Sequence, residues 1–486
     1  MAVSSIVALI LTPLLFDFLR ARDFAILSFA IAATGLLGAI DFGIGTSLVR
    51  FVSILAGRNL YRELDELVAT VFFLLAGVGV AGTVAIVVLA PWMVHYFSAL
   101  AVASHKAFLA VALVGLSLAF DFPSVPLSAY IAGCQDLHLL SGVEIAVQFL
   151  RIIAITGLLL AGFGLAWVAG VFPVIAFSRF AGLLWACRRS ANPWRPHLAD
   201  VRFRRLREMG KFALFASLED TAGRYYLLMD TFVAAKFLPL ADLAILSVAR
   251  RIPLALRKLA DQPYSAAYPL VSAAAADGKD QQIRRFMLVS VRASLAFGLP
   301  VAAGLWLWAA TILRLWVGPA VLSGVTVFRL MIVLAIFLAL HETPMTFLLG
   351  AGKIGFCTVV TVAMLPAFAI LGGVASVRYQ LNGLAAAYAL VCAVATILVF
   401  SRALSVSEVS WVHWLRKGVI PGLFLAAPAI VWLIASYSFL PHTLLGLIES
   451  WATASAIFVG VVFALASKEK HRSWKDRIWS ALLEER

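Results

Sequence analysis

The sequence predicts an all-α polytopic membrane protein of about fourteen transmembrane helices, two parallel six-helix repeats plus two C-terminal helices. Three observations predict this fold class. Apolar residues make up 63% of the chain and charged residues 13%, about half of the ~25% typical of a soluble domain. Apolar stretches of about 20 residues, long enough to cross a bilayer, recur from Met1 to Ala466. The third observation is a repeat within the chain.

Each helix is predicted where an apolar stretch lies between polar or basic turns. The predicted helices are 1–18, 24–49, 67–97, 107–132, 139–160, 165–187, 211–238, 243–275, 286–313, 323–349, 354–376, 383–401, 418–439 and 446–466. The chain then divides into an N-terminal six-helix bundle (1–187), a cytoplasmic basic linker (188–210), a C-terminal six-helix bundle (211–401), two additional helices (402–466) and a basic amphipathic cytoplasmic tail (467–486).

The repeat is visible as a short internal match. Residues 23–30 (DFAILSFA) match residues 242–249 (DLAILSVA) at six of eight positions. The offset is 219 residues, and Pro126 and Pro344 are related by 218. Because each repeat contains an even number of helices, both copies have the same orientation in the membrane. Such duplication is typical of transporters, although large membrane proteins without transport activity also arise by duplication.

Basic residues concentrate in alternate loops. With the N-terminus in the cytoplasm, the inner loops and the C-terminal tail hold 24 Lys and Arg residues, and the outer loops hold six. This asymmetry follows the positive-inside rule and predicts that both termini are cytoplasmic. The formal charge of +14 therefore faces anionic lipid headgroups, and we expect no nucleic-acid partner. The four cysteines have no metal-type spacing, so no metal, cofactor or disulfide is expected.

Two neighbouring segments, 211–238 and 243–275, carry most of the charge predicted at membrane depth. Charge inside a membrane is costly, so it usually faces a bundle interior or a water-filled cavity. The short turn between the segments makes them antiparallel, and residues whose numbers add up to about 481 lie at equal depth. Acids and bases are then level with one another, with bases in excess. An excess of positive charge at this depth suggests an anionic substrate.

The candidate site residues follow from this charge pattern. Guanidinium groups bind phosphate oxygens bidentately and stay charged when desolvated. The candidate substrate-binding residues are Arg224, Arg250, Arg251, Arg257, Lys258 and, in the fifth helix, Arg151. The candidates for ion coupling or charge pairing are Asp41, Asp121, Asp220, Asp230 and Asp261. Simple pairing of these acids and bases, which would join helices without binding substrate, is the open alternative. No catalytic residue is predicted.

Three further polar positions have a structural interpretation. Glu144 lies seven residues before Arg151 on the same helix face and is a candidate partner for it. Arg292 and Arg329 lie nearer helix ends, so we expect them to extend toward the membrane surface. His341 and Glu342 are adjacent on a helix and point about 100° apart, which argues against a shared metal ion.

Several segments, taken in order, resemble the polysaccharide (O-antigen/exopolysaccharide) flippases of the multidrug/oligosaccharidyl-lipid/polysaccharide exporter superfamily. The resemblance covers about residues 5–400, and the turn Arg20–Phe24 departs from the Gly-Pro-Glu-like turn usual in that family. The segments are Gly38–Arg50 (GAIDFGIGTSLVR), Pro126–Gln135 (PLSAYIAGCQ), Tyr226–Asp230 (YLLMD), Leu246–Arg250 (LSVAR), Tyr268–Leu270 (YPL) and Leu313–Gly318 (LRLWVG).

The resemblance implies export of an undecaprenyl-pyrophosphate-linked oligosaccharide from the inner to the outer leaflet of the bacterial cytoplasmic membrane. It implies alternating access, a role in lipopolysaccharide or exopolysaccharide synthesis, and as partners membrane lipids, a polysaccharide polymerase and glycosyltransferases. Two alternatives remain open. A cation-coupled multidrug extruder has the same fold, but surplus arginine would repel its cationic substrates. A membrane glycosyltransferase or polymerase needs large outer loops, whereas those predicted here have about ten residues or fewer, so no enzyme activity is expected.

Overall fold

The structure is a computed structural model that describes residues 2–39, 44–190, 192–202, 204, 210–260 and 280–467. These residues form helices and turns without a β-strand, which confirms the predicted all-α class. The α-helices are α1 (Ala2–Gly38), α2 (Ile44–Gly57), α3 (Tyr61–Tyr96), α4 (Ser98–Ala101), α5 (Ser104–Gly115), α6 (Leu118–Gly133), α7 (Leu137–Leu160), α8 (Leu165–Arg189), α9 (Gly210–Phe237), α10 (Leu240–Ala249), α11 (Arg251–Ala260), α12 (Asp280–Leu307), α13 (Ala309–Trp316), α14 (Val325–Gly350), α15 (Gly355–Ser407), α16 (Trp411–Trp414), α17 (Ile420–Phe439) and α18 (Leu444–Ser467). A π-helical turn, Leu415–Val419, joins α16 to α17.

Ten helical stretches in the described part of the chain are long and apolar enough to cross a membrane. Two of them contain two predicted spans each, because Arg20 (φ 59°) interrupts α1 and Gln380 (φ 52°) interrupts α15. The charged pair of predicted spans, 211–238 and 243–275, corresponds to α9 and to α10 with α11. The chain is therefore a multi-pass membrane protein.

The turns of the backbone recur at the spacing of the sequence repeat. Gln135 and Gly352 have φ values of 65° and 70° and lie 217 residues apart. Each follows a helix that ends in the same pattern of backbone hydrogen bonds, the Schellman motif. Gly162 and Gln380, 218 residues apart, also have positive φ values, of 81° and 52°. These spacings agree with the offset of 218–219 seen in the sequence.

The described chain forms two compact units. The first consists of Met1–Ser247 and Thr361–Leu384, and the second of Val248–Val360 and Ala385–Arg486. Helix α9 belongs to the first unit, although the repeat offset assigns it to the C-terminal bundle. The bundle boundaries drawn from the sequence therefore stay a prediction.

Close helix packing holds the first unit together and fixes α9 within it. A Cβ atom at Gly79 of α3 would lie 2.7 Å from the backbone oxygen of Leu118 in α6, so only glycine fits there. Small residues permit such approach in a membrane, where van der Waals packing drives association. Helix α9 packs on α1 through the rings of Phe232 and Phe29, whose centroids are 5.4 Å apart. The Thr221 hydroxyl of α9 also donates to the Ala39 carbonyl at 3.3 Å.

In the second unit, α17 and α18 pack against α12. Arg292 of α12 is buried, and its Nη2 donates to the carbonyl oxygen of Lys417 at 2.6 Å. This contact joins Arg292 to the π-helical turn that precedes α17. The expectation that Arg292 extends toward the membrane surface stays a prediction. Arg329, by contrast, lies over the ring of Trp306, 5.6 Å from its centroid, an arrangement suited to an interface.

Candidate functional site

One group of charged and polar side chains lies inside the first unit. Glu144, Gln148 and Arg151 recur at intervals of four and three residues along α7, so they share one helix face. Asp121 of α6 and Arg179 of α8 meet this face, because α6, α7 and α8 pack against one another. These five residues form the N-terminal charge cluster.

An ion pair lies at the centre of the N-terminal charge cluster. The Nη2 and Nε atoms of Arg179 lie 2.7 Å and 2.8 Å from Glu144 Oε1. The Asp121 carboxylate interacts electrostatically with Arg179 and Arg151. Gln148 is 8% exposed, and its Oε1 has no hydrogen-bond partner among the described residues. The cluster thus sets two acids against two bases around a buried amide that is able to accept a further hydrogen bond.

The structure changes the pairing expected within this cluster. The sequence predicts Glu144 as the partner of Arg151, whereas the ion pair joins Glu144 to Arg179 on the neighbouring helix. Arg151 interacts electrostatically with both Asp121 and Glu144. Arg179 was not singled out, because its place in the sequence gives no sign that α8 turns it toward α7.

Loss of the central ion pair should destabilise the first unit. We expect Glu144→Gln to lower the melting temperature of the purified protein, because Arg179 keeps its charge in an apolar setting. The two side chains are 26% and 36% exposed, so the effect should be about 1–2 kcal/mol rather than the ~3–5 kcal/mol of a fully buried pair. Glu408→Gln is the control, since its pair with Arg284 is mostly exposed and should contribute little. Equal melting temperatures for the two variants would contradict this expectation.

Helix α9 carries three of the predicted site residues, and the side chains of two of them, Arg224 and Asp230, are described. Asp230 is fully buried, and its Oδ1 accepts a hydrogen bond from the backbone N–H of Thr231 at 2.7 Å. Arg224, six residues earlier on the same helix, is exposed. Between them the ring of Tyr226 packs on Phe368, with centroids 5.9 Å apart. Of these two side chains, the first unit therefore encloses the acid and leaves the base exposed.

The predicted helix 243–275 is interrupted. Helix α10 ends at Ala249, Arg250 forms a turn, and α11 begins at Arg251. Pro253 explains the interruption, because a proline has no N–H to donate to the carbonyl four residues earlier and its ring clashes with that carbonyl. The prediction of one continuous helix was wrong here, since the effect of Pro253 was overlooked.

The interruption follows a helix about half a bilayer long. Helix α10 has 10 residues and rises about 15 Å, half the ~30 Å thickness of the hydrocarbon core. The N-terminal end of α11 carries the positive end of a helix dipole. Arg250 and Arg251 lie at this end and are close enough to repel each other. Two guanidinium groups and a helix N-terminus therefore place positive charge at one level.

A second group of charged side chains surrounds α11. Arg257 Nη2 lies 2.9 Å from Glu342 Oε1 of α14. His341, next to Glu342, points elsewhere, and its Nδ1 is 3.4 Å from the Thr396 hydroxyl of α15. His341 and Glu342 thus have different partners. Glu342 was missed as a partner of Arg257, because 85 residues separate them in the sequence. The C-terminal charge cluster is defined as Arg250, Arg251, Arg257, His341 and Glu342.

Four predicted site residues have no described side chain. Asp41 and Asp261 lie outside the described residues. Asp220 and Lys258 belong to α9 and α11, but their side chains lie outside the described part of the structure.

Long apolar helices that enclose clusters of charged side chains are typical of membrane transport proteins. The model of the family described as "Polysaccharide biosynthesis protein" matches residues 1–274. The chain belongs to this family. No curated protein matches it closely in sequence.

Solved structures share the fold. The lipid II flippase MurJ, in an inward closed conformation, superposes with a TM-score of 0.70 at 12% identity, covering 96% of this chain and 98% of MurJ. An inward-facing multidrug resistance MATE family transporter of the MOP superfamily gives a TM-score of 0.68 at 16% identity, covering 83% of this chain and 98% of the transporter. A MOP superfamily transporter from Pyrococcus furiosus Vc1 gives 0.55 at 14% identity, covering 84% and 95%. Family and fold belong to exporters and flippases rather than enzymes.

Proposed function

We propose that the chain is a flippase for a polyprenyl-pyrophosphate-linked oligosaccharide. It moves an undecaprenyl-linked sugar from the inner to the outer leaflet of the bacterial cytoplasmic membrane by alternating access, for synthesis of a cell-surface polysaccharide. Membership of a polysaccharide biosynthesis family supports a sugar cargo. The observation that supports an anionic lipid as the substrate is the interruption between α10 and α11 at Arg250 and Arg251.

This interruption has the chemistry that a pyrophosphate requires. A pyrophosphate carries two or more negative charges, and each guanidinium group is able to bind its oxygens bidentately. In transporters, the N-termini of interrupted helices commonly point at anionic substrate groups. Arg250 and Arg251 lie at such an N-terminus, and Arg257 follows on the same helix. We therefore assign these three residues to the pyrophosphate, with Lys258 of α11 as a further cation of the site.

The N-terminal charge cluster has a second role in this proposal. Arg151 contacts the substrate, and Asp121 beside it takes up a coupling proton or Na⁺, since intramembrane carboxylates commonly mark ion pathways.

A multidrug extruder is the second candidate, and the similarity to the MATE family transporter favours it. That match covers 83% of the chain and the MurJ match 96%, a difference of about the length of two membrane spans. The additional coverage supports the flippase. The arginine pair at the interruption also disfavours cationic drugs, because like charges repel strongly where water is excluded.

Reconstituted protein tests the proposal directly. Liposomes would carry a fluorescent short-chain polyprenyl-pyrophosphate-linked oligosaccharide in both leaflets, with and without a pH gradient, and dithionite would bleach the outer label. We expect bleaching of about half the label without protein and nearly all of it with protein, as transport exposes the inner pool. A parallel sample carries a cationic dye. Transport of the dye without transport of the lipid would contradict the flippase and support the extruder.

A further inference from the structure

We infer that Glu342 is an internal competitor of the substrate for Arg257, a carboxylate that the pyrophosphate must displace. This inference rests on the proposed function, because it assigns Arg257 to the pyrophosphate. By competing for Arg257, Glu342 lowers the affinity of the site for the pyrophosphate and makes binding of the pyrophosphate reversible.

The ion pair has the geometry of a displaceable contact. It joins one nitrogen, Arg257 Nη2, to one oxygen, Glu342 Oε1, at 2.9 Å. The Arg179–Glu144 pair of the first unit, in contrast, uses two nitrogens of the guanidinium. A phosphate group that binds a guanidinium through two parallel hydrogen bonds forms the stronger contact, so it is able to replace a carboxylate held through one.

The surroundings of the pair make competition electrostatically reasonable. The side chains of Arg257 and Glu342 are 17% and 26% exposed, so a ligand can reach both. Ion pairs desolvated to this degree contribute little net stability. Stabilising the contact between α11 and α14 is therefore a weak explanation for the Arg257–Glu342 pair. Arg250 and Arg251 precede Arg257 by seven and six residues, about two helical turns. A ligand with two phosphates that bound all three guanidiniums would more than replace the single charge of Glu342.

Apparent affinity is the quantity that competition changes. A site that is available for only a fraction of the time binds with an affinity reduced by that fraction. Neutralising Glu342 should therefore tighten binding, whereas removal of a purely structural contact should leave binding unchanged or weaken it.

Geranyl pyrophosphate, with geraniol as the uncharged control, serves as the probe for titration of the detergent-solubilised full-length protein. We expect Glu342→Gln to bind geranyl pyrophosphate about tenfold more tightly than wild type, and Glu342→Ala to behave alike. Adding Arg257→Gln to either Glu342 variant should abolish the gain in affinity for geranyl pyrophosphate. The exposed-pair variant Glu408→Gln should bind as wild type does. Elution volume and melting temperature would verify that each variant is folded.

The outcomes separate this inference from the proposed function. Binding by wild type without a gain in either Glu342 variant would overturn the competition and leave the flippase standing. A gain that persisted in the double variant would also overturn it, because the effect would not pass through Arg257. Failure of wild type and both variants to bind geranyl pyrophosphate would contradict the proposed pyrophosphate site as well as the competition.

Discussion

Replacing Arg250 and Arg251 together with glutamine should reduce export of the polysaccharide about 100-fold or more. Each charge-assisted hydrogen bond to phosphate contributes about 1.5–3 kcal/mol, so loss of two such contacts amounts to at least two orders of magnitude in binding. Both residues lie at the interruption between α10 and α11. The measurement is surface polysaccharide in a deletion strain complemented with the variant gene, with the amount of protein in the membrane fraction determined in parallel.

Arg188 and Arg189 provide a matched control for this double replacement. They form an adjacent arginine pair at the end of α8, and both are exposed. Arg188→Gln with Arg189→Gln removes the same formal charge from a surface position and should leave export within about twofold of wild type. If the two double variants lost export equally, net charge rather than the interruption would be responsible. Normal export by the Arg250 and Arg251 variant would exclude these residues from the site.

Replacing Pro253 with alanine should lower export about tenfold while raising the melting temperature. Alanine restores the hydrogen bond to the Ala249 carbonyl and removes a clash that costs about 3 kcal/mol within a helix. Helices α10 and α11 would then fuse, and the α11 N-terminus and its dipole would be lost from the level of Arg250 and Arg251. The measurement pairs the polysaccharide assay with thermal unfolding of the purified protein.

Pro173→Ala is the control for this replacement. Pro173 lies within α8, which continues without interruption from Leu165 to Arg189. Its replacement should also raise the melting temperature, but export should stay at the wild-type level. Full export by the Pro253 variant, with the same gain in stability, would show that the interruption of the helix is dispensable.

The features of the fold that depend on local chemistry could be predicted from the sequence. Apolar length fixed the number and order of the spans, since a bilayer demands about 20 residues per helix. The repeat was recognisable because Pro126 and Pro344 keep their offset and lie inside α6 and α14. The interruption at Arg250 could also have been predicted from the sequence, because Pro253 alone accounts for it. It was missed because apolar periodicity continues across the interruption.

Features that depend on how helices pack could not be predicted. Glu342 meets Arg257 and Glu144 meets Arg179 only because distant segments of the chain pack together. Arg292 illustrates the same limit, because its hydrogen bond to the Lys417 carbonyl joins residues 125 positions apart in the chain. Periodicity shows which residues share a helix face, but it does not show which helix that face meets.

The central claim is that arginines at an interrupted helix bind the pyrophosphate of a lipid-linked sugar. An experimental structure of the wild-type protein with bound geranyl pyrophosphate tests it most directly. The account predicts phosphate oxygens within about 3 Å of the guanidinium groups of Arg250, Arg251 and Arg257. Phosphate density elsewhere, or none, with these three side chains paired to acids or turned toward lipid, would contradict it.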